Sequence, residues 1–144
     1  MTDTAGPAVV ELLRQQWPSE RTATAIVPDN EDEITARLLE WTSMKAQLIL
    51  TVGGTGLSPR DRTPEATLHV IDRYVPGLPE AMRARGSQSN PYAWLSRGIA
   101  GMRGATLIVN LPGSKRGAVE SLEVIVVLLR HALAVAAGGK DHET

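Results

Sequence analysis

The 144-residue chain contains no cysteine and no phenylalanine, and its aromatic residues are limited to three Trp and two Tyr. Without cysteine there is no disulfide, no thiolate metal site and no thiol nucleophile, although the redox compartment stays open. Without Phe, the core has to be built from Leu, Val, Ile and Ala. Charge of one sign is lacking too: 15 basic residues face 16 acidic ones, for a net charge of −1. Such a balance offers no field for holding a nucleic-acid backbone, so no nucleic-acid partner is expected. The longest apolar run, residues 124–137, is interrupted by Arg130 and His131 and is too short to span a bilayer. No membrane partner is expected either. The N-terminus, MTDTAGPAVVELL, lacks the basic flank and unbroken apolar core of a signal peptide, which makes the cytoplasm the expected location. What the chain does have is 42% hydrophobic and 22% charged residues, the balance of a packed domain. Its length suits one such domain, placed at residues 1–139, followed by a polar, flexible tail at 140–144.

Periodicity divides this domain into alternating elements. Val9, Leu12 and Leu13 predict a helix over residues 5–16, ended near Trp17-Pro18. The β-branched alternation TATAIV at 22–27, closed by Pro28, predicts a strand. Asn30 with Glu33 reads as a capping-box-like start for a second helix, which carries Ile34, Leu38 and Trp41 on one face. Residues 48–52 form a short apolar run suited to a buried parallel strand. Pro64 fits the first turn of a third helix, with Thr63 as its N-cap and Ala66, Val70 and Ile71 facing inward. Pro76-Gly77 breaks it, a short helix follows at 78–85, and residues 87–91 read as a loop. Gly101 and Gly104 bracket a turn between extended runs at 97–100 and 106–110. A long helix then carries Leu122, Ile125, Val126, Leu129 and Leu133 as a stripe, stopped by Gly138-Gly139. The alternation predicts a three-layer α/β/α domain with a mainly parallel sheet. Right-handed crossovers would bring the glycine loops that follow residues 52 and 110 to one carboxyl edge.

Those loops hold the chemistry. Gly53, Gly54 and Gly56 flank Thr55 directly after a strand; backbone without Cβ atoms can turn its N–H groups onto an anion. The pattern is neither a P-loop nor a dinucleotide fingerprint, and a tight turn alone is the competing explanation. Asp61, between Arg60 and Arg62, would suit Mg²⁺, which takes one or two carboxylates together with phosphate oxygens. Equally, Asp61 could cap the turn or pair with an arginine. In the second loop, Pro112 and Gly113 turn the chain, Ser114 would cap the long helix, and Lys115 adds charge beside free N–H groups. Asp29 is either an acidic site residue or a helix cap. Arg97 could neutralise a phosphate or be merely solvated. His69 and His131 read as helix-surface residues and His142 as part of the tail, with no metal-ligand spacing and no Ser–His–Asp set.

Taken together, VPDN at 27–30, LILTVGGTGLSPRDRTPEAT at 48–67, PGLPEAMR at 76–83, LSRGIAGMRG at 95–104 and TLIVNLPGSKRG at 106–117 resemble the molybdopterin-binding family. That family includes MogA- and MoaB-type proteins and the G domain of gephyrin. The motifs keep the family's order across nearly the whole chain, with DTAGP at 3–7 resembling the segment after its first loop. The resemblance implies the family's α/β/α fold and a role in molybdenum cofactor biosynthesis. It implies that Mg²⁺-ATP adenylylates molybdopterin, so that pterin and nucleotide are the small-molecule partners. It also implies a catalytic role for Asp61 and Asp29, with Asp61 at the metal. Ligand would be held by Gly53, Gly54, Thr55, Gly56, Pro112, Gly113, Ser114 and Lys115. A non-catalytic molybdopterin-binding or assembly module is the alternative, and trimers or hexamers are the implied assemblies. The family pattern normally starts with an apolar strand and a serine–aspartate loop, whereas this sequence starts at DTAGP; an N-terminal truncation is the expected reason. Val52 and Arg62 also depart from the pattern, which often has Thr or Ser and Val there.

Overall fold

The computed structural model describes residues 4–138, so Gly139 and the expected tail, with His142, lie outside the described residues. The chain opens with α1 (Ala5–Gln16), as its apolar spacing predicts, and Trp17 closes it through an N–H bond to the Leu13 carbonyl. α2 (Glu31–Ser43) starts where expected: the Asn30 Oδ1 accepts the Glu33 N–H at 3.0 Å. β1 (Leu48–Val52) leads into the glycine loop, and α3 (Thr63–Leu68) follows it. Thr63 is the first residue of α3 rather than its N-cap; Arg62 occupies that position without a side-chain cap bond. Beyond lie β2 (Arg73–Tyr74), α4 (Gly77–Ser89), a 3-10 turn at Pro91–Leu95, β3 (Ala100–Arg103), β4 (Thr106–Leu111) and α5 (Lys115–Ala136).

The strands line up in the order β1-β4-β3-β2. β1 and β4 are parallel, with Val52 opposite Leu111, while β3 runs against both β4 and β2. Three strands therefore point one way. β3 is reversed because a tight turn at Gly104, at φ 57°, joins it directly to β4. Central β4 is buried throughout, and its alternation divides the core. Leu107, Val109 and Leu111 face α1, α4 and α5, with Val9, Met82, Leu122, Ile125 and Leu129. Ile108 faces the opposite layer, with Ile49, Leu38 of α2 and Val70. Each of these fully buried aliphatic side chains contributes about 1.5–3 kcal/mol.

Several expected elements take another form. The expected strand at 22–27 is absent: these residues have no regular structure, and Ile26 is 92% exposed. Alternating β-branched residues show how a segment would sit in a sheet, but a strand exists only where a neighbour supplies the ladder. Here β1 is the last strand at its edge, and residues 22–27 are not hydrogen-bonded to it. α4 runs on to Ser89, beyond the expected end near residue 85, which turns most of the expected loop into helix. The extended run expected at 97–100 forms strand only from Ala100, and Gly101 lies inside β3, where a Cβ would strike the Arg73 carbonyl at 2.6 Å. The short β2 carries no apolar run that could announce it.

Candidate functional site

Parallel pairing of β1 and β4 places both glycine loops at one sheet edge, as expected. Gly53 donates its N–H to the Leu111 carbonyl at 3.0 Å, and a Cβ on Gly113 would lie only 3.2 Å from the Gly53 Cα. The loops thus pack backbone to backbone. Gly53 and Gly54 both take positive φ, at 94° and 71°, and a Cβ on Gly54 would fall 2.1 Å from the Thr63 Oγ1. Thr63 is buried and returns a backbone bond to the Gly54 carbonyl at 3.1 Å. Thr55 is buried as well; its carbonyl accepts the Arg97 N–H at 2.8 Å.

Asp61 is brought back over this loop by a turn. Its N–H donates to the Ser58 carbonyl at 2.9 Å, and its Oδ2 accepts the Ser58 N–H at 3.1 Å. The turn-capping explanation is therefore correct for one carboxylate oxygen. The other, Oδ1, has no donor among the described residues; no arginine there makes an ion-pair contact with this carboxylate, although its charge, after that of Glu65, helps to raise the Arg97 pKa. Across the edge, Ser114 caps α5 by accepting the Gly117 N–H at 3.1 Å, as expected. Pro112 and Gly113 form the connecting turn, and the exposed Lys115 ammonium has no ion-pair partner among the described residues. Asp29 is exposed, and Asn30 rather than Asp29 caps α2. Two residues further on, Glu31 pairs with Arg62, the neighbour of Asp61, at 2.9 Å. No hydrogen bond among the described residues joins Asp29 to Asp61.

The arginines behave differently from either simple expectation. Arg62 is tied to Glu31 and is not a free cation at the site. His69 also reaches Glu31, through Nε2 at 2.8 Å. Those two bonds, His69 first and Arg62 next, hold the Glu31 carboxyl below its ordinary pKa. Arg97 neither faces a phosphate alone nor points idly into solvent. Its Nε donates to the Gly56 carbonyl at 2.8 Å, Nη2 to the Asp61 carbonyl at 2.5 Å, and Nη1 to the Glu65 Oε2 at 2.6 Å. The Arg97 bond lowers the Glu65 pKa, and Glu65 raises that of Arg97. Arg83 supports the segment from behind, donating to the Ser96 and Gly98 carbonyls at 2.9 and 3.0 Å. Glu65 and Arg83 lie within RDRTPEAT and PGLPEAMR, yet nothing local to either motif indicates these partners, which stand 13 to 32 residues away.

Asn110, the last polar residue before the second loop, supports the site from below. It is 1% exposed; its Oδ1 accepts the Ile99 N–H, while Nδ2 donates to the Thr51 and Thr67 hydroxyls at 2.9 and 3.0 Å. It locks the two parallel strands to α3 and the approach to β3, beneath the loops rather than within them. Among the described residues no group of three or more His, Asp or Glu could hold a metal. A cation here would rest on Asp61 and on the ligand's own phosphate oxygens, which is within the habit of Mg²⁺. The unpaired Oδ1 fits that arrangement. No helix of the described residues is long and apolar enough to cross a membrane.

Residues 1–131 match the family described as "Probable molybdopterin binding domain". The chain is 39% identical over 132 residues to the molybdenum cofactor synthesis protein cinnamon of Drosophila melanogaster, covering 91% of this chain and 22% of that protein. To the molybdopterin adenylyltransferase of Escherichia coli K12 it is 44% identical over 101 residues, covering 69% of this chain and 52% of that one. The chain thus spans about a fifth to a half of these curated relatives. Among solved structures it is similar to the molybdopterin biosynthesis enzyme MoaB of Thermus thermophilus, with 51% identity and a TM-score of 0.88 over 96% of this chain and 87% of that one.

Proposed function

Since this chain belongs to the molybdopterin-binding family of molybdenum cofactor biosynthesis, we propose that its paired glycine loops bind molybdopterin and adenylylate it with Mg²⁺-ATP. The observation that carries this reading is the unpaired Oδ1 of Asp61, fixed by its own turn beside loops that touch at Gly53 and Gly113. In the reaction, an oxygen of the molybdopterin phosphate bonds to the α-phosphorus of ATP. The bond from that phosphorus to the β-phosphate oxygen breaks, and pyrophosphate leaves. Such a transfer needs positioning and charge neutralisation more than covalent participation by the protein. Backbone N–H groups of residues 53–56, with Ser114 and Lys115 at the start of α5, would hold phosphate. Asp61 would hold Mg²⁺, which supplies neutralisation of the charge that builds on the phosphates. Asp29 is assigned an auxiliary acidic role. Self-association into trimers or pairs of trimers belongs to the same proposal.

A second reading, a binding or assembly module without turnover, draws on one observation. Residues 22–27, which lead to Asp29, are held by no ladder, so Asp29 is not registered against Asp61. Mass spectrometry of the product with molybdopterin and Mg²⁺-ATP separates the two. Asp61→Asn preserves an acceptor for the Ser58 N–H, so the fold is expected to survive while adenylylation falls by about 10²-fold or more. Full turnover in that variant would remove Asp61 from the chemistry. Molybdopterin binding without product in the unaltered chain would favour the module.

A further inference from the structure

One guanidinium makes four donor bonds around Asp61, two to the loop that presents it and two to Glu65 in the helix that follows. Arg97 reaches the Gly56 carbonyl, the Asp61 carbonyl and both oxygens of Glu65, the longer of the two carboxylate bonds measuring 3.3 Å. Its own N–H meets the Thr55 carbonyl, so residues 55, 56 and 61 of the loop are all drawn to a single residue. Glu65 stands in the first turn of α3 and aims the planar fork; Arg83 of α4 fixes the carbonyls on both sides of Arg97. The loop has no regular structure of its own, and both its ends are tied down, at Gly53 to Leu111 and at Thr63 to Gly54. Between those ties, the guanidinium spans the interval from Gly56 to Asp61.

We infer that Arg97, aimed by Glu65, is a positioning residue: it sets where the free Oδ1 of Asp61 stands relative to the glycine loops, without touching the ligand. This rests on the adenylylation reading above for its catalytic consequence, though not for its effect on the loop. A planar fork can bridge two carbonyls and a carboxylate at once, whereas a lysine ammonium on a flexible stem cannot hold the same spacing. Displacing a reacting group by about an ångström can cost about 10²-fold in rate.

The test compares the unaltered chain with Arg97→Met, Arg97→Lys and Glu65→Gln. Amide hydrogen exchange at Ser58, Asp61 and Thr63 reports the loop, exchange in β4 and α5 reports the fold, and adenylylation gives kcat and KM separately. In Arg97→Met, exchange in the loop is expected to rise at least about tenfold, with β4 and α5 unchanged. Its kcat is expected to fall about 10²-fold while KM stays put. Lys and Gln variants should fall in between, with kcat following loop protection; they carry the comparison if the Met variant does not fold. Faster loop exchange with unchanged kcat would make Arg97 structural only and overturn the inference. Unchanged exchange would overturn it as well. No product from the unaltered chain would overturn the adenylylation reading instead, and the loop-holding part would then stand or fall on exchange alone.

Discussion

At Gly54 the requirement for glycine is doubled. Its φ of 71° disfavours any side chain, and a Cβ would fall 2.1 Å from the Thr63 Oγ1, which is buried and cannot swing away freely. Left-handed backbone costs about 1–2 kcal/mol for an ordinary residue, and overpacking adds about 1–3 kcal/mol. Gly54→Ala is therefore expected to lose about 2–5 kcal/mol in urea unfolding. Gly104, at φ 57° with nothing within 4 Å of its Cβ position, meets only the first condition. Gly104→Asn should cost less than about 1 kcal/mol, because Asn tolerates that region. Both glycines stand out in the sequence, yet nothing in the letters separates them. The clash that does so belongs to a residue further along the chain, Thr63. Asp61 shows the same limit: the turn cap takes one oxygen of its carboxylate, and the proposed metal role would fall to the other.

Between elements, Asn110 is the joint that ties β4, β1 and α3. The Thr67 hydroxyl donates to the Thr63 carbonyl at 2.9 Å, so it can only accept from Asn110, and this fixes which way the amide points. Asn110→Asp would set two acceptors against each other in a buried place. A loss of about 2–4 kcal/mol is expected at neutral pH, with partial recovery as acid protonates the new carboxyl; unfolding at pH 7 and pH 5 would show both. Acid should also loosen the native carboxylate ties. Glu65 is held below the ordinary 4.5 by Arg97, Glu31 by His69 and then Arg62, and Glu120 by Ser89, with Arg85 and Arg116 adding charge. A lowered folded-state pKa means the unfolded chain takes up protons first, so this stabilisation is complete above 4.5 and is lost as pH falls through the folded values. Thermal melting points should be level from about pH 7 to 5 and drop below about 4.5, and the drop should be shallower in Glu65→Gln. Helix boundaries at this scale were largely readable from caps and stripes. The lack of a strand at residues 22–27 was not, because alternation in one segment carries no information about its neighbour.

Across the whole molecule, the long helix α5 has two faces. Leu122, Ile125 and Leu129 are fully buried against the sheet, while Val124, Val127, Leu128 and Val135 are 38–75% exposed. Apolar residues on an outer helix face suit association between copies, in keeping with the proposed trimer. Light scattering is expected to give three times, or six times, the 15.5 kDa chain mass, and a monomer at micromolar concentration would remove that part of the proposal. By itself the sequence determined the layered α/β class, the helix starts, the two glycine loops and the acidic residue beside them. These follow from periodicity, caps and backbone freedom, which are local properties of short segments. Tertiary structure decided the rest. It closed the loops onto each other at Gly53 and Gly113, gave one oxygen of Asp61 to its turn and left the other without a protein donor among the described residues, and tied Arg97 to the Gly56 and Asp61 carbonyls and to Glu65. The physical reason is separation along the chain: Arg97 meets partners 32 to 41 residues away, and only folding decides which distant groups a fork of donors will find.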